Sequence, residues 1–275
     1  MKKRLGIIGF GNMGSAIALG ARVLFEVRVF DKDGQKLPSG EGLKTETLLS
    51  TLVDNSDVLV LAVKPQDFDV LLDELKPLLR GQLLISIAAG ITTGYIENVL
   101  KGAKVVRVMP NMAVKISASV TGMTKGSYAG DEDLEAAKEL FEILGKVWMV
   151  KEEMIDSITA ISGSGPAYIF FDMEFNKLDP LKITAERKNE YIQRLKQAAL
   201  DLGFEAKMAL ELAVSTTASS VQLLIETGSS PADLRRMVTS RGGTTEAALK
   251  VLVGNGSWSE AAQAARGRAR ELSKR

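Results

Sequence analysis

The 275-residue chain has no cysteine and no histidine. The first absence excludes disulfides, thiolate nucleophiles and thiolate metal sites. The second removes the commonest general base and the commonest metal ligand near neutral pH. Chemistry here must therefore run on hydroxyls, carboxylates, lysines, arginines, backbone groups or a borrowed cofactor. A charge surplus is missing too. Thirty-five Lys and Arg stand against 34 Asp and Glu, a net +1, which argues against a broad attraction to nucleic acid or an anionic membrane. No apolar stretch reaches the ~18 residues needed to span a bilayer. The start, Met1-Lys-Lys-Arg-Leu-Gly-Ile-Ile-Gly-Phe, has the outline of a signal peptide, but glycines and Asn12 break its apolar run early, so it reads as a first β-strand. The expectation is a cytoplasmic protein with no nucleic-acid or membrane partner and no metal.

What is present is ample apolar material, 45% of residues, enough for the core of one large domain or two moderate ones. Up to about residue 150, short apolar runs alternate with helical periodicity. Strands are expected at 5–8, 27–30, 58–63, 83–87 and 105–109, with extensions at 119–124 and 146–150. Continuously apolar strands suit a parallel sheet covered on both faces. Helices at 67–79 and 131–144 between them imply a doubly wound α/β domain over 1–151. From about residue 152 to the end, strand patterns stop and an all-α domain is expected. Ser230 and Ser257 read as helix starts, Gly203, Gly228 and Gly254 as stops, and 206–226 as a long amphipathic helix.

The first strand runs into Gly9-Phe-Gly11-Asn-Met-Gly14. A bare Gly-x-Gly-x-x-Gly is weak evidence. Here it follows a strand, opens an apolar helix and is followed by a second strand, the context that marks dinucleotide binding. Gly9 suits the tight turn, Gly11 a close approach to pyrophosphate and Gly14 close helix–strand packing, with the helix N-terminus facing the phosphates. Asp31 ends the second strand, 17 residues after Gly14. It reads either as an acceptor for an adenosine ribose, favouring NAD over NADP, or as an exposed loop aspartate; Lys32 and Lys36 are suited to a 2′-phosphate. The segment 33–42 is too short and broken for a usual second helix and third strand.

The third strand exits at Ala62-Val-Lys-Pro-Gln66 and the fifth at Met109-Pro-Asn111, the carboxyl ends where ligands sit in open α/β sheets. Lys64 is either a functional lysine or a solvated charge before a proline. Asn111 is either a partner for a nicotinamide amide or an ordinary turn residue. In the helical half, Val238-Thr-Ser-Arg-Gly-Gly-Thr-Thr-Glu-Ala-Ala248 sets two glycines among hydroxyls ahead of a helix. It reads either as a flexible N-cap or as an anion pocket of backbone N–H groups and hydroxyls.

Ile7–Gly14, Ala62–Gln66, Arg107-Val-Met-Pro-Asn111, Ser162-Gly-Ser-Gly-Pro-Ala-Tyr168 and Gly242-Gly-Thr-Thr245 together resemble pyrroline-5-carboxylate reductase, over nearly the whole chain and in the family's order. The resemblance implies an N-terminal Rossmann domain, a C-terminal helical dimerisation domain, and reduction of a cyclic imine carboxylate to L-proline with NAD(P)H. It implies cofactor contacts at Gly9, Gly11, Asn12, Met13, Gly14, Ala62, Lys64, Pro65 and Asn111, to which the strand-end reading adds Asp31. It implies substrate contacts at Ser240, Gly242, Gly243, Thr244 and Thr245, with Thr245 touching the imine. Arg241 and Met112-Ala113 depart from the family's pattern. A homodimer or higher homo-oligomer is implied.

The resemblance also marks 176–196 as an insertion. Six basic residues against three acidic ones give it a net +3. Tyr191, Ile192, Leu195, Ala198, Ala199 and Leu202 form a helical stripe, so the segment is expected to pack that stripe on other helices with its polar face in solvent. Gly242 and Gly243 are expected to leave their N–H groups unobstructed for a substrate carboxylate. A protonated imine is already electrophilic, so a chain without histidine suits this reaction. The alternatives are a β-hydroxy acid dehydrogenase or another imine reductase of similar plan, and a non-catalytic dinucleotide-binding regulator.

Overall fold

A computed structural model describes residues 2–40 and 42–273. The chain divides into two compact units, one of Met1–Met109 with Gly122–Glu152, the other of Pro110–Thr121 with Glu153–Lys274.

In the first unit the order is β1 (Arg4–Ile8), α1 (Asn12–Ala21), β2 (Glu26–Phe30), β3 (Lys44–Thr45), α2 (Leu49–Asp54), β4 (Val58–Leu61), α3 (Phe68–Leu75), β5 (Leu83–Ser86), α4 (Thr93–Val99), β6 (Lys104–Met109), β7 (Ser119–Lys125), α5 (Asp131–Glu142) and β8 (Gly145–Met149). The strands form one sheet in the order β3-β2-β1-β4-β5-β6-β7-β8. Pairing is parallel from β3 to β6, with Leu5 opposite both Val27 and Val58, and β7 runs antiparallel to β6. The chain thus crosses from β3 back over β1 to β4, which is the doubly wound arrangement.

The continuous apolar strands are central for the expected reason. Leu5, Ile7, Leu59, Val60, Leu61, Leu84 and Ile85 are fully buried, and Leu59, Leu61 and Leu84 share one core cluster with Phe68, Leu72 and Leu75 of α3. Each such side chain contributes roughly 1.5–3 kcal/mol by leaving water. The adenine side is abbreviated but not empty. Among the described residues of 33–42, the one regular element is the 3₁₀ turn Gly34–Lys36, yet the chain then pairs Lys44 and Thr45 with Arg28 and Val29 and forms α2. The two-residue β3 is exposed, so it carries no apolar signal. Behind it, Arg28 reaches Glu46 at 2.6 Å.

The second unit contains α6 (Ile155–Ile158), a π turn (Thr159–Gly163), α7 (Gly165–Phe175), α8 (Ala185–Asp201), α9 (Ala206–Thr227), α10 (Pro231–Val238), α11 (Thr244–Val253) and α12 (Trp258–Leu272). Helix α8 packs on α9 and α12, α11 on α12, and α10 on α7. The caps follow the sequence. Ser230 accepts from Asp233 N–H, and Ser257 exchanges capping bonds with Glu260.

Segment 176–196 behaves as an internal strut. Helix α7 stops at Phe175, a 3₁₀ turn (Pro180–Lys182) follows under Asp179, and Thr184 caps α8. Tyr191, Leu195, Ala198 and Ala199 are buried. Tyr191 stacks on Trp258 at 5.7 Å, and its hydroxyl donates to Asp172 at 2.8 Å. Arg187 and Arg194 both reach Asp172, and Arg194 lies over the Trp258 ring at 4.3 Å. Two of the segment's basic residues are thus fastened to the fold while remaining partly exposed.

Helix α9 corrects one sequence expectation. It is long and apolar enough to span a bilayer, because Ser and Thr interrupt its apolar residues without ending the helix. Of its most apolar 18-residue window, 61% is buried inside the fold, so that apolarity serves the core.

Candidate active site

The glycine loop is shaped by two contacts. Gly9 has φ +98°, a left-handed conformation that side chains rarely adopt, and a Cβ there would lie 2.7 Å from Ala62 O. A Cβ on Gly14 would lie 2.0 Å from Gly9 O, so any larger residue forces α1 off the strand. Gly11, by contrast, meets nothing within 4 Å. It is the N-cap of α1, where no side chain supplies a cap. Asn12 and Met13 form the first positions of α1. The donors of that turn are therefore left without a side-chain cap, as a pyrophosphate site requires.

A cavity of about 470 Å³ opens beside this loop, lined by Gly9, Gly11, Asp31, Ala62, Lys64 and Asp67 among others. Asp31 is built into it, accepting from Phe10 N–H at 2.7 Å and from Asp33 N–H at 2.9 Å. Lys64 is extended (φ −71°, ψ 150°) because Pro65 follows, and Pro65 begins a 3₁₀ turn. The Cβ-sized gap at Gly11, the uncapped helix and the cavity fit the pyrophosphate and adenosine of a dinucleotide.

The second cluster lies in the helical unit. The π turn carries the chain into α7, with Ser164 N–H donating to Thr159 O at 2.8 Å. π turns recur at functional sites, and this one aims a buried hydroxyl. Ser164 Oγ lies 3.1 Å from Thr244 Oγ1 and accepts from Thr245 Oγ1 at 3.2 Å. All three side chains are buried. Since Thr245 directs its proton to Ser164, its oxygen keeps acceptor capacity for a donor outside the trio. Ser164 stands within a motif quoted from the sequence but was not among the expected site residues.

One expectation needs correction here. Gly242 N–H is not unobstructed, because it donates to Glu246 Oε2 at 2.7 Å, and Gly243 N–H donates to Ser240 O at 3.0 Å. The donors left uncapped by any side chain are those of the first turn of α11. Gly242 has φ +70°, and its carbonyl accepts from Arg268 Nε at 2.7 Å. The loop is thus held from both sides by its own unit, while Ser240 and Arg241 are exposed. Asn111 is held by its own surroundings. Its carboxamide oxygen accepts from Ala113 and Val120 N–H, and its Nδ2 donates to Ser162 O at 3.1 Å. It is buried and ties the Pro110–Thr121 segment to the π turn.

A third network was not visible in the sequence. Arg107, 1% exposed, donates to Glu152 Oε1 at 2.7 Å, and Thr93 donates to Glu152 Oε2 at 2.8 Å. Arg107 interrupts the buried apolar run of Val105–Met109, which is the signal that a partner must exist.

Comparison with known proteins gives a consistent result. Residues 189–272 match the family described as pyrroline-5-carboxylate reductase dimerisation, and residues 4–90 match one described as NADP oxidoreductase, coenzyme F420-dependent. Pyrroline-5-carboxylate reductase of Methanosarcina acetivorans is 36% identical over 258 residues, covering 88% of this chain and 87% of its own. Among solved structures, the pyrroline-5-carboxylate reductase of Coxiella burnetii aligns over 100% of both chains at 34% identity with a TM-score of 0.66. The pyrroline carboxylate reductase of Plasmodium falciparum, solved with NADP bound, covers 99% of this chain and 98% of its own at 25% identity and a TM-score of 0.64. The chain belongs to the pyrroline-5-carboxylate reductase family.

Proposed function

We propose that the protein reduces 1-pyrroline-5-carboxylate to L-proline with NAD(P)H, as the last step of proline biosynthesis in the cytoplasm. The observation that carries this reading is the buried hydroxyl trio at the start of α11, where Thr245 gives its proton to Ser164 and keeps its oxygen as an acceptor. A protonated cyclic imine, and the amine it becomes, are hydrogen-bond donors at nitrogen, so Thr245 Oγ1 is the complementary group. When bound, the reduced nicotinamide supplies the hydride that adds to the imine carbon. Every other task falls to the chain.

Gly9, Gly11, Asn12, Met13 and Gly14 bind the pyrophosphate, Asp31 the adenosine ribose, and Ala62, Lys64 and Pro65 the nicotinamide side. Asn111 acts as a positioning residue through the bonds that fix its loop. The first-turn N–H groups of α11, with Ser240, Gly242, Gly243 and Thr244, receive the substrate carboxylate. Gly242 N–H joins them once the Glu246 carboxylate has yielded it. No side chain need donate a proton to carbon, so the lack of histidine is no handicap.

The helical unit is proposed to pair with a second copy. Helix α9 exposes Leu210, Val214 and Ile225 at 41%, 41% and 48%, an apolar stripe on the helix whose other side is core. Light scattering on the purified protein should give a dimer or a multiple of one. The activity itself is tested by following cofactor oxidation with 1-pyrroline-5-carboxylate and assaying for proline. Folded protein that binds cofactor yet makes no proline would overturn the assignment.

A further inference from the structure

Asp31 closes the adenosine end of the cavity. It stands just past β2, at the position from which an acidic side chain reaches a ribose 2′-hydroxyl. Its two backbone bonds, from Phe10 and Asp33, fix the carboxylate in place with only 10% of the side chain exposed. Each carboxylate oxygen has roughly two acceptor sites, so both oxygens retain one for a ribose hydroxyl after those bonds are made. The Phe10 bond also makes this carboxylate part of the glycine loop. Ribose recognition and pyrophosphate cradle are therefore one rigid piece.

Two of the three lysines lining the cavity are paired with carboxylates. Lys32 donates to Asp67 Oδ1 at 2.8 Å, and that bond holds its ammonium above the usual lysine range. Lys36 lies 3.7 Å from Asp31 and 3.5 Å from Asp33. Among the described residues lining the cavity, Asp31, Asp67 and Glu74 face Lys32, Lys36 and Lys64, and no arginine is present. A 2′-phosphate brings close to two negative charges. It would have to take Lys32 from Asp67, or Lys36 from two aspartates, while sitting against a fixed carboxylate.

Resting on the reading of this cavity as the cofactor site, we propose that the protein selects NADH over NADPH, with Asp31 as the specificity-determining residue. Its carboxylate accepts from the adenosine 2′-hydroxyl and repels a phosphate in the same place.

The test is direct binding to the full chain by calorimetry, without imine. NADH should bind about ten-fold or more tighter than NADPH, given the strength of like-charge contacts at partly buried sites. Asp31→Asn removes the charge and keeps one acceptor oxygen, so it should narrow that ratio chiefly by strengthening NADPH binding. Asp67→Asn leaves Asp31 and the glycine loop untouched and releases Lys32. It should strengthen NADPH binding several-fold, and it decides the matter if Asp31→Asn fails to fold. Equal or tighter NADPH binding by the natural protein, or a ratio unmoved by both substitutions, overturns the inference and leaves the reductase assignment standing. Failure to bind either cofactor overturns the cofactor-site reading along with it. Proline formation is scored separately, so the two failures are distinguishable.

Discussion

Helices α1 and α11 begin alike and are finished differently. Each starts on a glycine in extended conformation, Gly11 at ψ −168° and Gly243 at ψ 178°, with no side chain as cap. Around Gly11 there is open space and a cavity. Around Gly243 the space is taken: a Cβ there would lie 2.2 Å from Ser240 Oγ, Glu246 holds Gly242 N–H, and Arg268 holds Gly242 O. A third glycine start is an ordinary one. At α5, Gly130 N–H donates to Asp133 at 2.9 Å, while the first-turn donors again have no side-chain cap. An uncapped glycine start is therefore not enough by itself; the cavity beside Gly11 is what sets α1 apart. Where a carboxylate of the same chain already occupies a donor, any ligand must compete with it. The proposed cofactor end is preformed, and the proposed substrate end is latched.

The largest effect should come from filling the preformed end. In Gly14→Val the new side chain collides with Gly9 O and displaces the loop. Misplacement by ~1 Å can cost about 100-fold, so cofactor affinity by calorimetry should fall at least that far while the separate helical unit keeps its far-ultraviolet signature. Retained affinity would show that the loop tolerates displacement and that its shape is not the recognition element.

A smaller effect is expected from the hydroxyl trio. Thr245→Val keeps the volume and removes the acceptor for the imine nitrogen. One hydrogen bond to a charged group is worth roughly 1.5–3 kcal/mol, or about 10- to 150-fold in kcat/KM, with cofactor affinity unchanged. Full activity would reduce the trio to internal packing. The smallest effect concerns the latch. Glu246→Gln removes the charge that a substrate carboxylate would meet at Gly242. A partly exposed charge contact is worth roughly 0.2–1 kcal/mol, so KM for the imine should fall by up to about fivefold with kcat kept. A rise in KM would mean instead that Glu246 builds the site rather than guarding it.

Most of the sheet was legible because burial on both faces forces continuous apolar runs, as in Val58–Leu61 and Leu83–Ser86. The two-residue β3 was not, since its exposed Lys44 and Thr45 pair through backbone groups alone. The glycine fingerprint was legible because Gly9 and Gly14 answer to steric limits that no other residue meets. The latch was not, because Glu246 reads equally as a first-turn acid and as a partner for Gly242. Nor was the burial of the Asn111 carboxamide, which depends on where a π turn leaves the carbonyl of Ser162. Ser164 was in view as part of a motif, but only the fold sets its hydroxyl between two threonines 80 and 81 positions away.

The aromatic packing around the strut has an optical consequence. The chain has two tryptophans, and each unit holds one: Trp148 lies in β8, while Trp258 opens α12, 3% exposed between Tyr168 and Tyr191. With Arg194 above its ring, Trp258 sits in a polarised, water-poor setting, so its emission reports the helical unit and that of Trp148 reports the sheet. Phenylalanine at one position or the other leaves a single intrinsic fluorophore, and the two units' melting can be followed one at a time without a label.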